Sequence, residues 1–428
     1  MNTQTKTKLI ESSYKNAPQI RNEYGSLLNV LTQVLSEGFN EQSVISFEFL
    51  ANNTMKISLI RNHGYLYNQV ISLSGSILSE MNIQYRVIES RHNYIIVKNP
   101  FTDITPESVD SSGITIKTSP LGYKQVYVND TGTVKCFQNK SLKSPGVLKV
   151  IDEIPPNGYS TGWSKFARVV AGQEVDEFGE FLSDDKVPYN HLYPQAEYTG
   201  NGVSGDGGIH GFASWPYAEG ADYYNRQNYG PYDNFPKSWK IIGDDKTFYL
   251  ILEPSLKDRY IMHGFGNFIS DNNEETTNIC LQARDRFYPA NATIEGVYER
   301  CETRFGSATN NRGSFLLSTI YGQTKTTCRY TSFGLYVGES YYDRPWHSTS
   351  IKSLNPSSGQ LMSGLMYIKD DENYIRGYHR GIRYIYGNSS NFTSGSVSST
   401  ANVVLAVIDP ERDREVSYLF SLADWEDV

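Results

Sequence analysis

The stretch from Trp239 to Ile251, WKIIGDDKTFYLI, constrains the fold of this chain more than any other segment. Apolar and aromatic residues flank a polar corner, Gly243-Asp244-Asp245-Lys246, and this arrangement is typical of two β-strands joined by a tight connection. Nothing in the pattern suggests chemistry. The segment therefore predicts a hairpin with a structural role.

Length and composition limit the possible classes of protein. A chain of 428 residues should form two or three domains, and 39% hydrophobic with 20% charged residues is too apolar for disorder. The first residues, MNTQTKTKLIESSYKN, lack an apolar core, so we expect no signal peptide and synthesis in a cytosol. With a net charge of -8, no basic run and no long apolar run, we expect neither nucleic-acid binding nor membrane insertion.

Tyrosine is the compositional outlier, with 32 residues against 19 phenylalanines. This bias favours β-strands with partly wet aromatic faces, and tyrosine is also frequent at protein interfaces. The four cysteines, Cys136, Cys280, Cys301 and Cys328, form no CxxC pair and lack zinc-site spacing. We expect buried free thiols.

The first hundred residues predict a small α+β domain. Residues 1–20 resemble an arm that needs a partner to become ordered. Between Tyr24 and Phe39, Leu27, Leu28, Leu31, Val34 and Leu35 recur on one helical face, and Gly38 is a stop signal. The apolar pattern then changes to a period of two, with a hairpin predicted around Ala51-Asn52-Asn53.

The remaining chain predicts β-structure. We place the small α+β domain at 21–100, a polar linker at 101–113, a β-sandwich-like domain with a long aromatic loop at 114–290, and a C-terminal β-rich region at 291–428. The predicted fold class is mainly β: a small N-terminal α+β module with one helix, followed by one or two β-sandwich-like domains.

Two residue sets are candidate chemical sites. Asp206 and His210, with His191, are candidate metal ligands, but we favour a glycine-rich turn, because no third ligand has a characteristic spacing. Asp244, Asp245 and Glu253 are candidate carboxylates for glycoside cleavage, although adjacent strand residues point to opposite faces. Since there is also no GxSxG, P-loop, dinucleotide fingerprint or HExxH, we expect no enzyme, no cofactor and no metal.

An aromatic segment, residues 215–239, is the candidate interaction site. Its rings are Trp215, Tyr217, Tyr223, Tyr224, Tyr229, Tyr232, Phe235 and Trp239. Such a loop can form a subunit contact, pack on itself as a lid, or stack on sugar rings, and we favour the subunit contact because aromatic residues dominate binding hot spots. The sugar-binding alternative makes the chain a receptor- or carbohydrate-binding module; a polysaccharide depolymerase is a further alternative.

Several sequence blocks follow one another in a fixed order along the chain: Val34 to Phe39, His63-Gly64-Tyr65, VISLSG at 70–75, Pro120 to Lys124, Thr131 to Phe137, Trp163 to Val169, Trp239 to Leu250 and Phe265 to Ile269. Read in this order, they resemble blocks of bacteriophage tail or baseplate-type virion structural proteins. The resemblance spans roughly residues 24–285. This chain has Asn267 where the group usually has aspartate, and Tyr123 where it usually has tryptophan.

The resemblance implies a structural role, with no catalytic residues to carry over. The nearest role in the group is the non-contractile tail sheath of N4-like short-tailed phages, a ring or sleeve of identical copies around the tail tube. It implies contacts with other tail proteins (tube, connector and appendages) and with a host outer-membrane receptor. It also implies location in the virion after synthesis in the host cytoplasm.

Overall fold

A computed structural model describes most of the N-terminal two thirds of the chain and several strands beyond it. The described residues are 7–101, 109–154, 165–183, 186–187, 213–218, 235–253, 261–270, 277–283, 313–318, 326–331, 362–369, 375–386, 397–399, 403–408, 416–423 and 425.

The secondary structure is mainly β, with one helical segment: α1 (Ser26–Thr32) continues into a π-helical turn (Gln33–Glu37), and a short 3-10 turn covers Ser79–Met81. The first strands are β1 (Lys8–Glu11), β2 (Phe39–Ser43), β3 (Ser46–Leu50), β4 (Thr54–Ser58), β5 (Val70–Ser74), β6 (Gln84–Arg91), β7 (Tyr94–Lys98) and β8 (Thr115–Thr118). Next are β9 (Lys124–Val128), β10 (Val134–Gln138), β11 (Val147–Ile151), β12 (Lys165–Gly172), β13 (Lys186–Val187), β14 (Ala213–Ala218), β15 (Trp239–Gly243), β16 (Thr247–Leu252), β17 (Ile261–Asn267), β18 (Ile269–Ser270) and β19 (Asn278–Ala283). The last are β20 (Gly313–Ser318), β21 (Thr326–Thr331), β22 (Met362–Lys369), β23 (Ile375–Tyr386), β24 (Val397–Ser399), β25 (Val403–Ile408) and β26 (Val416–Ser421).

Three antiparallel sheets form the larger part of the molecule. The central sheet has the order β1-β15-β16-β17-β19-β20-β21. The second sheet, β13-β12-β11-β10-β9 with β14 beside β12, shares one apolar core with a face of the central sheet and with α1. The C-terminal sheet, β18-β23-β26-β25-β24 with β22 beside β23, shares a second core with the opposite face. Strands β15, β16, β17 and β19 of the central sheet are therefore covered on both faces, as their apolar runs require.

The small domain is a separate seven-stranded sheet in the order β2-β8-β5-β6-β7-β4-β3. Its inward residues, including Met55, Ile57 and Leu73, form a third core of their own. Leu50 pairs with Thr54 across the predicted hairpin, and Asn52 and Asn53 both take positive φ, which asparagine tolerates better than most residues. This hairpin prediction is confirmed.

The helix lies on the larger body. All five predicted face residues are buried, and Gly38 ends the segment with φ 79°, as predicted. The buried carboxylate of Asp152 accepts a hydrogen bond from the backbone N–H of Leu28 at 3.0 Å and one from the Tyr217 hydroxyl at 2.8 Å. A side chain distant in sequence thus satisfies the first turn of α1.

Two predicted boundaries need correction. The described part of the expected arm is built into the fold: β1 pairs with β15, and Ile20 bridges to Lys237. Strand β8, expected to open the second domain, instead pairs with β2 and β5 in the small domain. Both strands are only four residues long, and such short runs carry too little periodicity to be assigned locally.

Asp152 makes stability depend on pH. Burial raises the pKa of this carboxyl from 3.8 to about 6. Between these values the folded state retains a proton that the unfolded state releases, so the stability contributed by Asp152 falls as pH rises through the window. In Asp152→Asn the amide oxygen still accepts from Leu28, and the amide N–H₂ donates to the Tyr217 oxygen.

We expect the free energy of unfolding of the wild type, relative to Asp152→Asn, to fall by about 2 kcal/mol between pH 3.8 and pH 6. Urea unfolding of both proteins across this range measures the difference. A difference that does not change with pH would contradict the assignment.

Candidate functional site: a buried charged junction

The polar corner between β15 and β16 is a closed turn, as the sequence predicts. The N–H of Asp244 donates to the Thr247 carbonyl at 2.9 Å. Its side-chain Oδ1 accepts from the N–H groups of Lys246 and Thr247, each at 2.9 Å. Asp244 is 1% exposed, so its charge needs a further partner inside the protein.

That partner is Arg380, on β23 of the C-terminal sheet. Its Nη1 lies 3.2 Å from Oδ1 of Asp244, and its Nη2 lies 3.0 Å from Oδ2, so the pair is bidentate and buried. The guanidinium lies 5.7 Å from the ring centroid of Trp425, and the Arg380 carbonyl accepts from the Tyr249 hydroxyl at 2.9 Å. The corner is therefore fixed to the second core.

Backbone carbonyls of the same corner bind the second sheet. The Lys140 N–H donates to the Asp245 carbonyl at 2.8 Å, and Nδ2 of Asn139 donates to the Lys246 carbonyl at 3.0 Å. Asn139 also donates to Oδ1 of Asn267 at 2.8 Å, and Asn267 donates onward to the Ser144 carbonyl at 2.8 Å. An aspartate at 267 would lack that donor, so asparagine suits this network.

Lys8 brings the N-terminal strand to the junction. Its ammonium group donates to the Leu121 carbonyl at 3.2 Å and is almost completely buried. Burial lowers the pKa of Lys8 to about 7, although the carboxylates of Asp245 and Asp244 oppose this shift. The neighbouring Thr7 accepts from the Trp425 N–H through Oγ1 at 3.1 Å and from Arg86 of the small domain through its carbonyl at 2.9 Å.

The arrangement connects elements, and Asp244 and Glu253 do not form the carboxylate pair that the sequence allows. Asp244 is neutralised by Arg380 and by turn N–H groups. Glu253 follows β16 at its opposite end, where its N–H donates to the Ser238 carbonyl. Six residues of strand place Glu253 roughly 20 Å from the corner, whereas glycoside cleavage needs carboxylates about 5–9.5 Å apart.

The aromatic segment requires a correction. Trp215 and Tyr217 lie on β14 and Trp239 on β15, and all three are fully buried inside the chain. Their rings are not available for a subunit contact or for sugar stacking. Phe235 is 67% exposed, and Tyr223, Tyr224, Tyr229 and Tyr232 lie outside the described residues.

The buried rings use their polar atoms internally. Nε1 of Trp215 donates to the Gln282 carbonyl at 2.8 Å, and this ring stacks on His263 with centroids 5.4 Å apart. Nε1 of Trp239 donates to the Pro18 carbonyl at 3.1 Å. Burial of His263 lowers its pKa to about 3, which keeps the imidazole neutral in the core. These aromatic residues therefore stabilise the packed sheets.

The other candidates fall in different places. Asp206, His210 and His191 lie outside the described residues, and within the described ranges no three His, Cys, Asp or Glu side chains could together hold a metal ion. Cys136 and Cys280 are buried free thiols, as predicted. No helix in the described portion of the chain is long and apolar enough to cross a membrane.

Sequence reasoning missed Lys8, Arg380 and Trp425. Arg380 is 136 positions from Asp244, and no local pattern connects the two residues. One weak signal exists: a polar corner inside an apolar hairpin implies a buried charge, which requires a partner.

Comparison with models of known protein families gives no match, and comparison with curated protein sequences gives no significant match.

Breaking the buried pair from one side should be costly. We expect Arg380→Met to lower the free energy of unfolding by about 3–5 kcal/mol, because Asp244 is left as an uncompensated buried charge. Adding Asp244→Asn should recover part of this loss, since the amide oxygen still accepts from the turn. Urea unfolding at neutral pH measures both.

The matched control is Arg91→Met, which removes an arginine from the exposed 2.7 Å pair with Glu89. Solvent screens this pair, so little change is expected. Equal losses in Arg380→Met and Arg91→Met would contradict a special role for the junction.

Proposed function

We propose that this chain is a structural subunit of a bacteriophage tail that assembles with copies of itself into a ring or sleeve around the tail tube. The proposal starts from the ordered sequence blocks between residues 24 and 285 and from the mainly β architecture. In this role the inner surface contacts other tail proteins, and the outer surface is exposed to the host receptor.

One observation carries the proposal. The junction fixes the sheets to one another in the interior, yet large apolar side chains are exposed in connections on the surface. The junction ties the central sheet to both flanking sheets and, through Thr7, to the small domain. Phe178 and Leu182 lie in one connection, and Ile60, Leu66 and Tyr67 in another; each is about half exposed or more. Single exposed apolar residues are common, but groups of them are typical of association surfaces.

Sheet edges offer a second means of association. Strands β9, β3 and β24 end their sheets, and each pairs on one side only with another strand of the described ranges. An exposed edge carries backbone N–H and C=O groups that can pair with another chain. Repetition of one such contact by rotation closes a ring.

We expect the purified full-length chain to form cyclic oligomers in mass photometry and negative-stain electron microscopy. We also expect mass spectrometry to detect many copies of the chain in purified particles of a phage that encodes it. Cryo-electron microscopy of these particles should place the chain in the tail. A chain that stays monomeric and is absent from the particles would exclude the proposal.

A further inference from the structure

A short hairpin, residues 174–182, packs against the second sheet and has a well-defined turn. The Asp176 N–H donates to the Glu180 carbonyl at 2.9 Å, and the Gly179 N–H donates to the Asp176 carbonyl at 3.1 Å. Oδ1 of Asp176 accepts from the N–H groups of Phe178 and Glu180, each at 2.9 Å. One aspartate thus fixes the tip.

The hairpin is anchored across a row of the sheet formed by Tyr127, Cys136 and Lys149, which face one another on β9, β10 and β11. Glu180 forms an ion pair with Lys149 at 2.6 Å, and the Gly179 carbonyl lies 3.9 Å from Sγ of Cys136. A side chain on Gly179 would overlap the Tyr127 ring. The tip is therefore held against the sheet in one orientation.

This orientation leaves apolar side chains outward. Phe178 is 68% exposed and Leu182 is 60% exposed. Residues 174–182 include four carboxylates and no lysine or arginine. We call residues 174–182 the acidic patch.

A second apolar group lies on the small domain, in the connection 60–67. Ile60 is 61%, Leu66 is 47% and Tyr67 is 60% exposed. This connection has no carboxylate; it carries Arg61, and the exposed Lys15 donates to the Asn62 carbonyl at 2.5 Å. We call residues 60–67 with Lys15 the basic patch.

The basic patch is also held rigidly. The buried His63 accepts from the Tyr65 N–H through Nδ1 at 3.0 Å, which makes its Nε2 the donor to the Arg91 carbonyl at 2.6 Å. The Tyr65 hydroxyl donates to the Ile116 carbonyl at 2.9 Å, and the Ser90 hydroxyl donates to the Tyr65 carbonyl at 2.6 Å. Both patches are therefore preorganised, which lowers the entropic cost of association.

We propose that the acidic patch of one copy docks on the basic patch of a second copy. The inference deepens the proposed function and rests on it. The two patches are complementary, because each exposes large apolar residues and their local charges are opposite. Since they are different surfaces, each copy can bind one neighbour through each patch, and such a heterologous contact forms a ring where its rotation closes.

The test uses two full-length variants that each damage one patch. Phe178→Asp keeps the basic patch, and Tyr67→Asp keeps the acidic patch. We expect each variant alone to remain monomeric in mass photometry. Their mixture should form one-to-one dimers that cannot grow, because only one intact pair of surfaces is present.

A charge exchange tests the electrostatic part. Glu177→Arg and Arg61→Glu should each weaken assembly by about tenfold, and the double variant should recover most of the wild-type affinity. The control is Leu142→Asp, which places a charge at a residue that is 99% exposed and outside both patches. It should assemble as the wild type does, and circular dichroism should show that every variant is folded.

If the wild type assembles and Phe178→Asp and Tyr67→Asp assemble equally well, this interface is wrong and the proposed function stands. If the variants give the expected dimers but the chain is absent from phage particles, the interface stands and the proposed function is wrong. Larger oligomers from the mixture would also overturn the interface, because they require a different contact.

Discussion

The ion pair between Asp244 and Arg380 is the contact on which the three-layer arrangement depends. The middle strands of the central sheet are covered on both faces, so they send apolar residues in both directions: Ile241 and Leu250 to one core, Ile242 and Tyr249 to the other. A hairpin must nevertheless turn somewhere, and its turn exposes polar backbone groups. In this chain the turn lies within the body, and the three sheets together satisfy its groups.

In this arrangement charged residues fix the relative position of the sheets, which apolar packing alone cannot do. Apolar contacts are non-directional and would allow sheets to slide, whereas a bidentate arginine–carboxylate pair fixes distance and orientation. The cost of removing both charges from water makes such a pair weak as a source of net stability. Here the pair specifies how the C-terminal sheet packs on the central sheet. Lys8 and Thr7 fix the position of the N-terminal strand in the same way.

Sequence patterns predicted what is encoded locally. The helix face, the Gly38 stop, the Asn52-Asn53 hairpin and the 243–246 corner each depend on neighbouring residues, and each is present. The site depends on pairings across the chain, such as Lys8 with Leu121. Such pairings leave no periodic signal, so the strand β1 resembled an arm and the role of Arg380 could not be predicted.

The aromatic residues show the same limit more sharply. A dense run of rings indicates large buried area, but it does not tell whether that area is buried within the chain or between chains. The answer depends on which strand each ring occupies, and Trp215, Tyr217 and Trp239 occupy strands that face the first core. The association surface that we propose is carried by residues with weaker sequence signals. Phe178 and Tyr67 lie in short polar connections. Their side chains keep a fixed position on the surface only because hydrogen bonds of Asp176 and His63 anchor these connections.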